Sequence, residues 1–278
     1  MSKILFPTDL SEFANNAFLY ALKMANFLKS EIVVLHVYDI PALNLEGNAA
    51  FAPEIYKTIE LNSFESFRET IASLRDIAKK HNLEHINLSH ALQQGSLIQS
   101  INKVVALEKI NLIVMGTSGA DWTERIMGSN TIAVMNAVPV KLLTIPNHCT
   151  FKKIQTIGFT TKFRDKDKRA LDEVSKIAKK IGANVKCLYV KNKSSDVTEE
   201  TIDKWREKYA KKNVQFVVVP HDDVKESIFD FLHFNHIDLL AMLSYKSSFL
   251  SDVFIKRNLT KDVVSAINIP LLAIKELK

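Results

Sequence analysis

Apolar positions along this chain keep two different periods. Phe18, Leu22, Ala25 and Leu28 recur at helical spacing, and so do Leu171, Val174, Ile177 and Ile181. Between such stretches lie short β-branched runs: "EIVVLHVY", "NLIVM", "ANVKCLYV" and "VQFVVV". Runs that are apolar almost throughout suit strands covered on both faces, as in a parallel sheet beneath helices. The pattern predicts strands near 3–7, 31–38, 84–92, 111–115 and 139–145, with helices near 12–29, 54–81, 96–108 and 129–137. A second set of strands is predicted near 153–159, 183–190, 214–220, 237–243 and 269–275.

The order repeats. "KILFPTDLSEFANNAFLYALKMANFLKSEIVVLHVYD" and "KIQTIGFTTKFRDKDKRALDEVSKIAKKIGANVKCLYVKN" both read strand, loop, helix, strand, and "INLIVMGTSG" is echoed by "IDLLAMLSYK". Internal repetition speaks to architecture before any single motif does. It predicts two tandem α/β domains, each a five-stranded parallel sheet, at 1–147 and 151–278, with a linker at 146–152. Matching Lys3 to Lys153 and Met115 to Met242 gives the first copy about 23 extra residues, expected after its second strand. The segment 40–60 there, "IPALNLEGNAAFAPEIYKTIE", is a candidate lid or dimer contact.

Composition narrows the class. At 278 residues and 47% hydrophobic, the chain suits two packed domains. No apolar run reaches the ~20 residues of a membrane helix, and "MSKILFPTDLSEF" lacks a signal peptide's apolar core. Two cysteines make no disulfide framework, so a cytoplasmic location is expected. Residues 1–150 carry net −2 and residues 151–278 net +8. The basic half interleaves its lysines with acids, as exposed helix faces do, and carries no nucleic-acid motif; a nucleic-acid partner is not expected.

Three of the seven glycines sit within "MGTSGADWTERIMGSN". In an open parallel sheet, ligands bind beyond the carboxyl ends of the strands. The residues just past those ends are therefore the informative ones: "PTDLSE", "HVYD" and "MGTSG", then Gly128, Ser129 and Asn130 at a helix start. Gly116 and Gly119 let backbone amides approach a ligand closely. The first amides of the helix opened by Gly128-Ser129-Asn130 have no internal partner and favour phosphate. Asp9 can accept from a hydroxyl or amino group, and Val37 and Met115 can flank a base. The plain alternatives are that Asp9 or Ser11 caps the first helix and that Ser129 caps its own.

Pro7-Thr8-Asp9, His36-Val37 and Gly116-x2-Gly119-x8-Gly128-Ser129 resemble the hallmarks of the universal stress protein family in its tandem form. The likeness extends to "VPVKLLTIP" and "IPLLAIK". It implies a Rossmann-like, adenine nucleotide alpha hydrolase-like fold of strand order 3-2-1-4-5, the two domains pairing through their last strands as a pseudo-dimer, with a homodimer possible in principle. In one subclass it implies ATP, alone or with Mg2+. Pro7, Thr8, Asp9, Val37, Met115 and Gly116 then fall to the adenosine, and Gly119, Gly128, Ser129 and Asn130 to the phosphates. The second glycine gap is eight residues where the family has nine; in a rigid turn one residue fewer rotates the residues beyond it by about 100°, whereas a loop absorbs the loss.

The second copy replaces Asp9 by Thr160 or Thr161, and Gly116 and Gly119 by Leu243 and Lys246. It is expected to be degenerate for nucleotide, with Lys246, Lys256 and Arg257 as candidate anion contacts. No P-loop, GxSxG elbow or HExxH pattern occurs, so nothing compels catalysis beyond slow incidental hydrolysis of ATP. His233 and His236 are candidates for one helix face, His36 for a structural hydrogen bond, Cys187 for the core and Cys149 for an exposed linker position. Two functions are consistent with these residues: an ATP-binding stress-response module, or a nucleotide-free interaction scaffold with a decayed site. An adenylate-chemistry enzyme is a third, without an evident base or metal cluster.

Overall fold

The computed structural model describes residues 2–39, 52–117, 128–147, 149–244 and 268–275. The chain divides into two compact units, Met1–Met115 and Gly116–Lys278.

In the first unit, β1 (Ser2–Thr8), β2 (Ser30–Tyr38), β3 (Leu88–Gln94) and β4 (Ile110–Gly116) lie in the order β3-β2-β1-β4, all parallel. Helices α1 (Phe13–Leu28), α2 (Ala52–Lys80) and α3 (Leu97–Leu107) connect them. Ile4, Leu5 and Phe6 are completely buried, as near-continuous apolar strands require. Helix α1 lays Ala17, Phe18, Ala21, Leu22 and Ala25 on the sheet, with the Phe18 ring 5.2 Å from that of Phe6. Helix α2 buries Phe67, Ile71, Leu74 and Ala78, a stripe spaced three to four residues apart. The third strand starts at Leu88 rather than near 84, because α2 ends in a turn through Asn82, whose φ of 55° is left-handed.

The second unit begins with the last residue of β4. It contains α4 (Ser129–Ala137), β5 (Lys141–Ile145), β6 (Thr156–Thr160), α5 (Asp165–Ile181), β7 (Asn184–Lys191), α6 (Glu199–Tyr209), β8 (Val214–Pro220), α7 (Val224–Phe234), β9 (Leu239–Ser244) and β10 (Leu271–Lys275). Strands β8-β7-β6-β9-β10 are parallel neighbours in that order, the predicted 3-2-1-4-5 arrangement. Strand β5 runs antiparallel to β10, with Thr144 opposite Leu271 and Leu142 opposite Ala273. The last strand of each repeat thus meets the other, and β5 groups with the second half.

The repeat has a different register from the one matched at Lys3 and Lys153. Helix α1 ends at Lys29 and α5 at Gly182, each left-handed with its amide bonded back to the final turn. Lys29 therefore matches Gly182, and Leu5 matches Gly158, three positions later than that alignment implies. Gly158 has a packing reason: a Cβ there would stand 2.9 Å from both Ile237 and Phe231. The longer first copy owes part of its length to α2, 29 residues against 11 for α6. The candidate lid lies outside the described residues up to 51, and the rest of it is the start of α2.

Two expectations are corrected. Cys149 is buried rather than exposed, as is Cys187, whose thiol is pushed well up by burial. His233 lies on α7, but His236 falls beyond the helix at φ 49°, so they share no helix face. Among the described residues no cluster of His, Cys, Asp and Glu is fit for a metal, and no helix is long and apolar enough to cross a membrane.

Candidate functional site

The carboxyl end of β1 turns sharply. Thr8 is buried; its hydroxyl oxygen accepts from the Leu10 amide at 3.1 Å, and Leu10 takes a left-handed φ of 65°. The turn leaves Asp9 exposed. Its Oδ1 accepts from the Ser11 amide at 3.1 Å and the Ser11 hydroxyl at 2.6 Å, while Oδ2 has no partner among the described residues. Asp9 thus shapes the turn before α1 and does not cap the helix; Glu12 holds the cap position and makes no side-chain bond there.

Beside it, β2 brings His36 opposite Thr8. The Nδ1 of His36 lies 2.9 Å from the Thr8 carbonyl. A carbonyl only accepts, so Nδ1 carries the proton and Nε2 is left as acceptor in the neutral ring. Val37 is half-buried on the same strand, whereas Met115, near the end of β4, is buried and offers a base little surface. Pro7, buried, ends the apolar run of β1. Parallel pairing of β1 with β2 and β4 puts Thr8, Asp9, Val37 and Met115 at one sheet edge.

The second unit holds the other predicted residues. The Thr117 amide donates to the Ile145 carbonyl at 3.0 Å, and the Gly128 amide donates to the Thr117 carbonyl. The buried Thr131 hydroxyl reaches the carbonyls of Gly116 at 3.1 Å and Thr117 at 3.2 Å. These bonds pin the start of α4 to the end of β4. Gly128 is the N-cap in extended conformation, φ −67° and ψ 157°, and no side chain caps the helix. Ser129 and Asn130 are exposed in its first turn, where amides lack an intrahelical acceptor. Gly119 lies outside the described residues, as do Lys246, Lys256 and Arg257.

The corresponding turn after β6 corrects the match for Asp9. Thr161 accepts from the Phe163 amide at 2.8 Å, and Phe163 has φ 55°. This is the Thr8–Leu10 turn again, so Thr8 matches Thr161 and Asp9 matches Lys162. A carboxylate is still present, but it comes from Asp167 in α5 and is 2% exposed. Its Oδ2 accepts from the Thr161 hydroxyl at 3.1 Å, the Lys162 amide at 2.7 Å and the Arg164 amide at 3.1 Å. That carboxylate is used up by the protein.

Beyond this turn lies a cavity of about 210 Å3 at the carboxyl ends of β6, β7 and β9. Arg164 and Asp196 both line it and form an ion pair in which Arg164 Nη2 donates to both carboxylate oxygens, at 2.7 and 2.8 Å. The Arg164 hydrogen bond holds the Asp196 carboxyl below the usual carboxylate range. Sequence reasoning missed Thr131, Asp167, Tyr189 and Asp196. Asp167 alone had a signal, an acid at the third helical position after a turn; the others depend on contacts distant in sequence.

A model of the universal stress protein family matches residues 1–146. A universal stress protein of Methanocaldococcus jannaschii is 26% identical over 129 residues, covering 45% of this chain and 69% of that protein. One of Synechocystis is 26% identical over 174 residues, covering 56% of this chain and 58% of that protein. Among solved structures, a universal stress protein from Archaeoglobus fulgidus aligns over 99% of this chain and 96% of its own, with TM-score 0.69 and 18% identity, a likeness of fold. With the family's model spanning more than half the chain and its motifs standing at the expected strand ends, the chain belongs to the universal stress protein family.

Proposed function

We propose that the first copy binds an adenine nucleotide, ATP by preference, and that the protein acts as a nucleotide-responsive stress module rather than an enzyme. As the family resemblance implies, the adenosine end is assigned to Thr8, Asp9 and Val37 and the phosphate end to Gly116 and the first turn of α4. The observation that carries the reading is the start of α4: an extended glycine cap, no capping side chain and exposed Ser129 and Asn130. Such a terminus stabilises an anion through unpaired amides and partial positive charge. Asp9 adds one carboxylate oxygen with no bond of its own among the described residues, available to a ribose hydroxyl.

Ser129 provides the test. Gly128 already has the extended conformation that precedes proline, and proline is well accepted at the first helical position. Ser129→Pro therefore removes one amide donor with little disturbance, while Ser129→Ala removes only the hydroxyl. Equilibrium dialysis with ATP should show binding weakened at least tenfold by Ser129→Pro and less by Ser129→Ala. Absence of saturable binding to the unaltered chain at millimolar ATP overturns the reading.

A nucleotide-free scaffold is the second reading. It is favoured by the Gly128 amide, already given to Thr117, and by Asp9 Oδ1, already given to Ser11.

A further inference from the structure

Strand β8 (Val214–Pro220) ends its sheet, with β7 on one side and no strand on the other among the described residues. We propose that this open edge pairs with the same edge of a second copy of the chain, antiparallel about a twofold axis at Phe216. The inference is independent of nucleotide binding, and it uses a strand other than β5 and β10, the last strands of the two repeats.

An open edge invites pairing, and proteins commonly blunt it with lysine, proline or a bulge. The run "VQFVVV" has none of these: it is uncharged, its register with β7 is unbroken, and Phe216, Val217, Val218 and Val219 are only half-buried. The neighbouring β7 buries Val185, Cys187, Leu188 and Tyr189. The matching edge strand of the first copy, β3, instead exposes Ser89, His90 and Gln94.

Register decides which backbone groups are free. The Val185 amide donates to the Asn213 carbonyl and the His221 amide to the Lys191 carbonyl. Bonding residues alternate along a parallel ladder, so Gln215, Val217 and Val219 face β7. Val214, Phe216 and Val218 therefore turn amide and carbonyl to the open side. Pro220, next in that series, has no amide to offer and ends it. A twofold axis at Phe216 sets Val214 against Val218 of the second copy, and each of these amides then meets a carbonyl. Phe216 meets its own counterpart, beside the ring of Phe163 at 5.9 Å. Aromatic cross-strand pairs add to the stability of a sheet.

Charge selects the occupant and its direction. Lys211 and Lys212 precede the strand, and Asp222 and Asp223 follow it. Lys212 pairs with Asp172 at 2.8 Å and Asp222 with Lys193 at 2.9 Å, which leaves Lys211 and Asp223 without an ion pair among the described residues. An antiparallel second copy brings the lysine end of each strand to the aspartate end of the other; a parallel one sets like charges together. Each chain spends its β8 edge in the contact, so the assembly closes as a dimer.

The test is sedimentation equilibrium of the full chain from micromolar to millimolar concentration, with amide hydrogen exchange read residue by residue by NMR at both ends of that range. A monomer–dimer equilibrium is expected. The amides of Val214, Phe216 and Val218 should exchange at least tenfold more slowly where the dimer dominates. Val218→Pro removes an outward amide and leaves the bonds to β7, so it should weaken the dimer at least tenfold with the monomer's thermal midpoint preserved. If that variant fails to fold, the exchange pattern of the unaltered chain decides. A chain that stays monomeric at millimolar concentration overturns the proposal, even where β8 accepts a strand of another protein. So does a dimer in which those amides exchange as they do in the monomer, growth into filaments, or a folded Val218→Pro that dimerises as before. Loss of ATP binding would leave all of these readings unaffected.

Discussion

The turns after β1 and β6 have the same backbone and opposite chemistry. In each, a buried threonine accepts the amide two residues on, and that residue takes a left-handed φ. In the first, the next residue is Asp9, exposed, with one carboxylate oxygen left over. In the second it is Lys162, and the carboxylate comes from Asp167, buried and bonded to three donors. A duplicated fold can thus keep a turn while moving its acid from a position open to a ligand to one that holds the turn itself.

The largest effect that sharpens this contrast is on stability. Asp167→Ala leaves the Thr161 hydroxyl and two amides without their acceptor and should cost about 3 kcal/mol in denaturant unfolding. Asp9→Ala, at an exposed turn, should stay within about 0.5 kcal/mol. Equal costs would break the comparison. Next, Gly158→Val forces a side chain against Ile237 and Phe231 and should cost about 2–3 kcal/mol, measured in the same way. Leu5 fills the matching position of the first copy, where no such close approach is imposed by a glycine.

Binding should reverse the order. Asp9→Ala should weaken ATP by about 2 kcal/mol, roughly thirtyfold in Kd by equilibrium dialysis, through loss of a charged acceptor. Asp167→Ala should leave ATP affinity nearly unchanged wherever the variant is folded.

The smallest expected effect is on pH dependence. Burial pushes Asp172 up, but the hydrogen bond and charge of Lys212, with Lys208, hold it below the ordinary value. The bond from Lys176, with help from Lys141, does the same for Glu173. A carboxylate depressed in the folded state contributes stability above its unfolded pKa, near 4, and loses it as pH falls through the lower folded value. Denaturation midpoints between pH 2 and 5 should therefore fall less steeply in Asp172→Asn with Glu173→Gln than in the unaltered chain.

The fold was largely legible because buried parallel strands and single-faced helices leave strong periodic traces. The Phe18-Leu22-Ala25 stripe and the "NLIVM" run both announced their burial. Register was less legible. Lys3 and Lys153 match as letters, but the physical landmarks are a left-handed helix end at Lys29 and Gly182 and a turn at Thr8 and Thr161. Lysine and glycine fill the first pair, so composition concealed the correspondence. The candidate site was half legible. Gly128 and Ser129 announced a helix start, whereas Thr131 bridging two carbonyls and Tyr189 lacking a partner arise only from packing.

The most direct test is the stoichiometry of ATP on the full chain by equilibrium dialysis, repeated with Ser129→Pro. One ATP per chain is expected, with affinity reduced at least tenfold by that single lost amide. Two equivalent ATP molecules per chain, none at millimolar ATP, or one that is indifferent to Ser129→Pro would contradict a nucleotide site built on the start of α4.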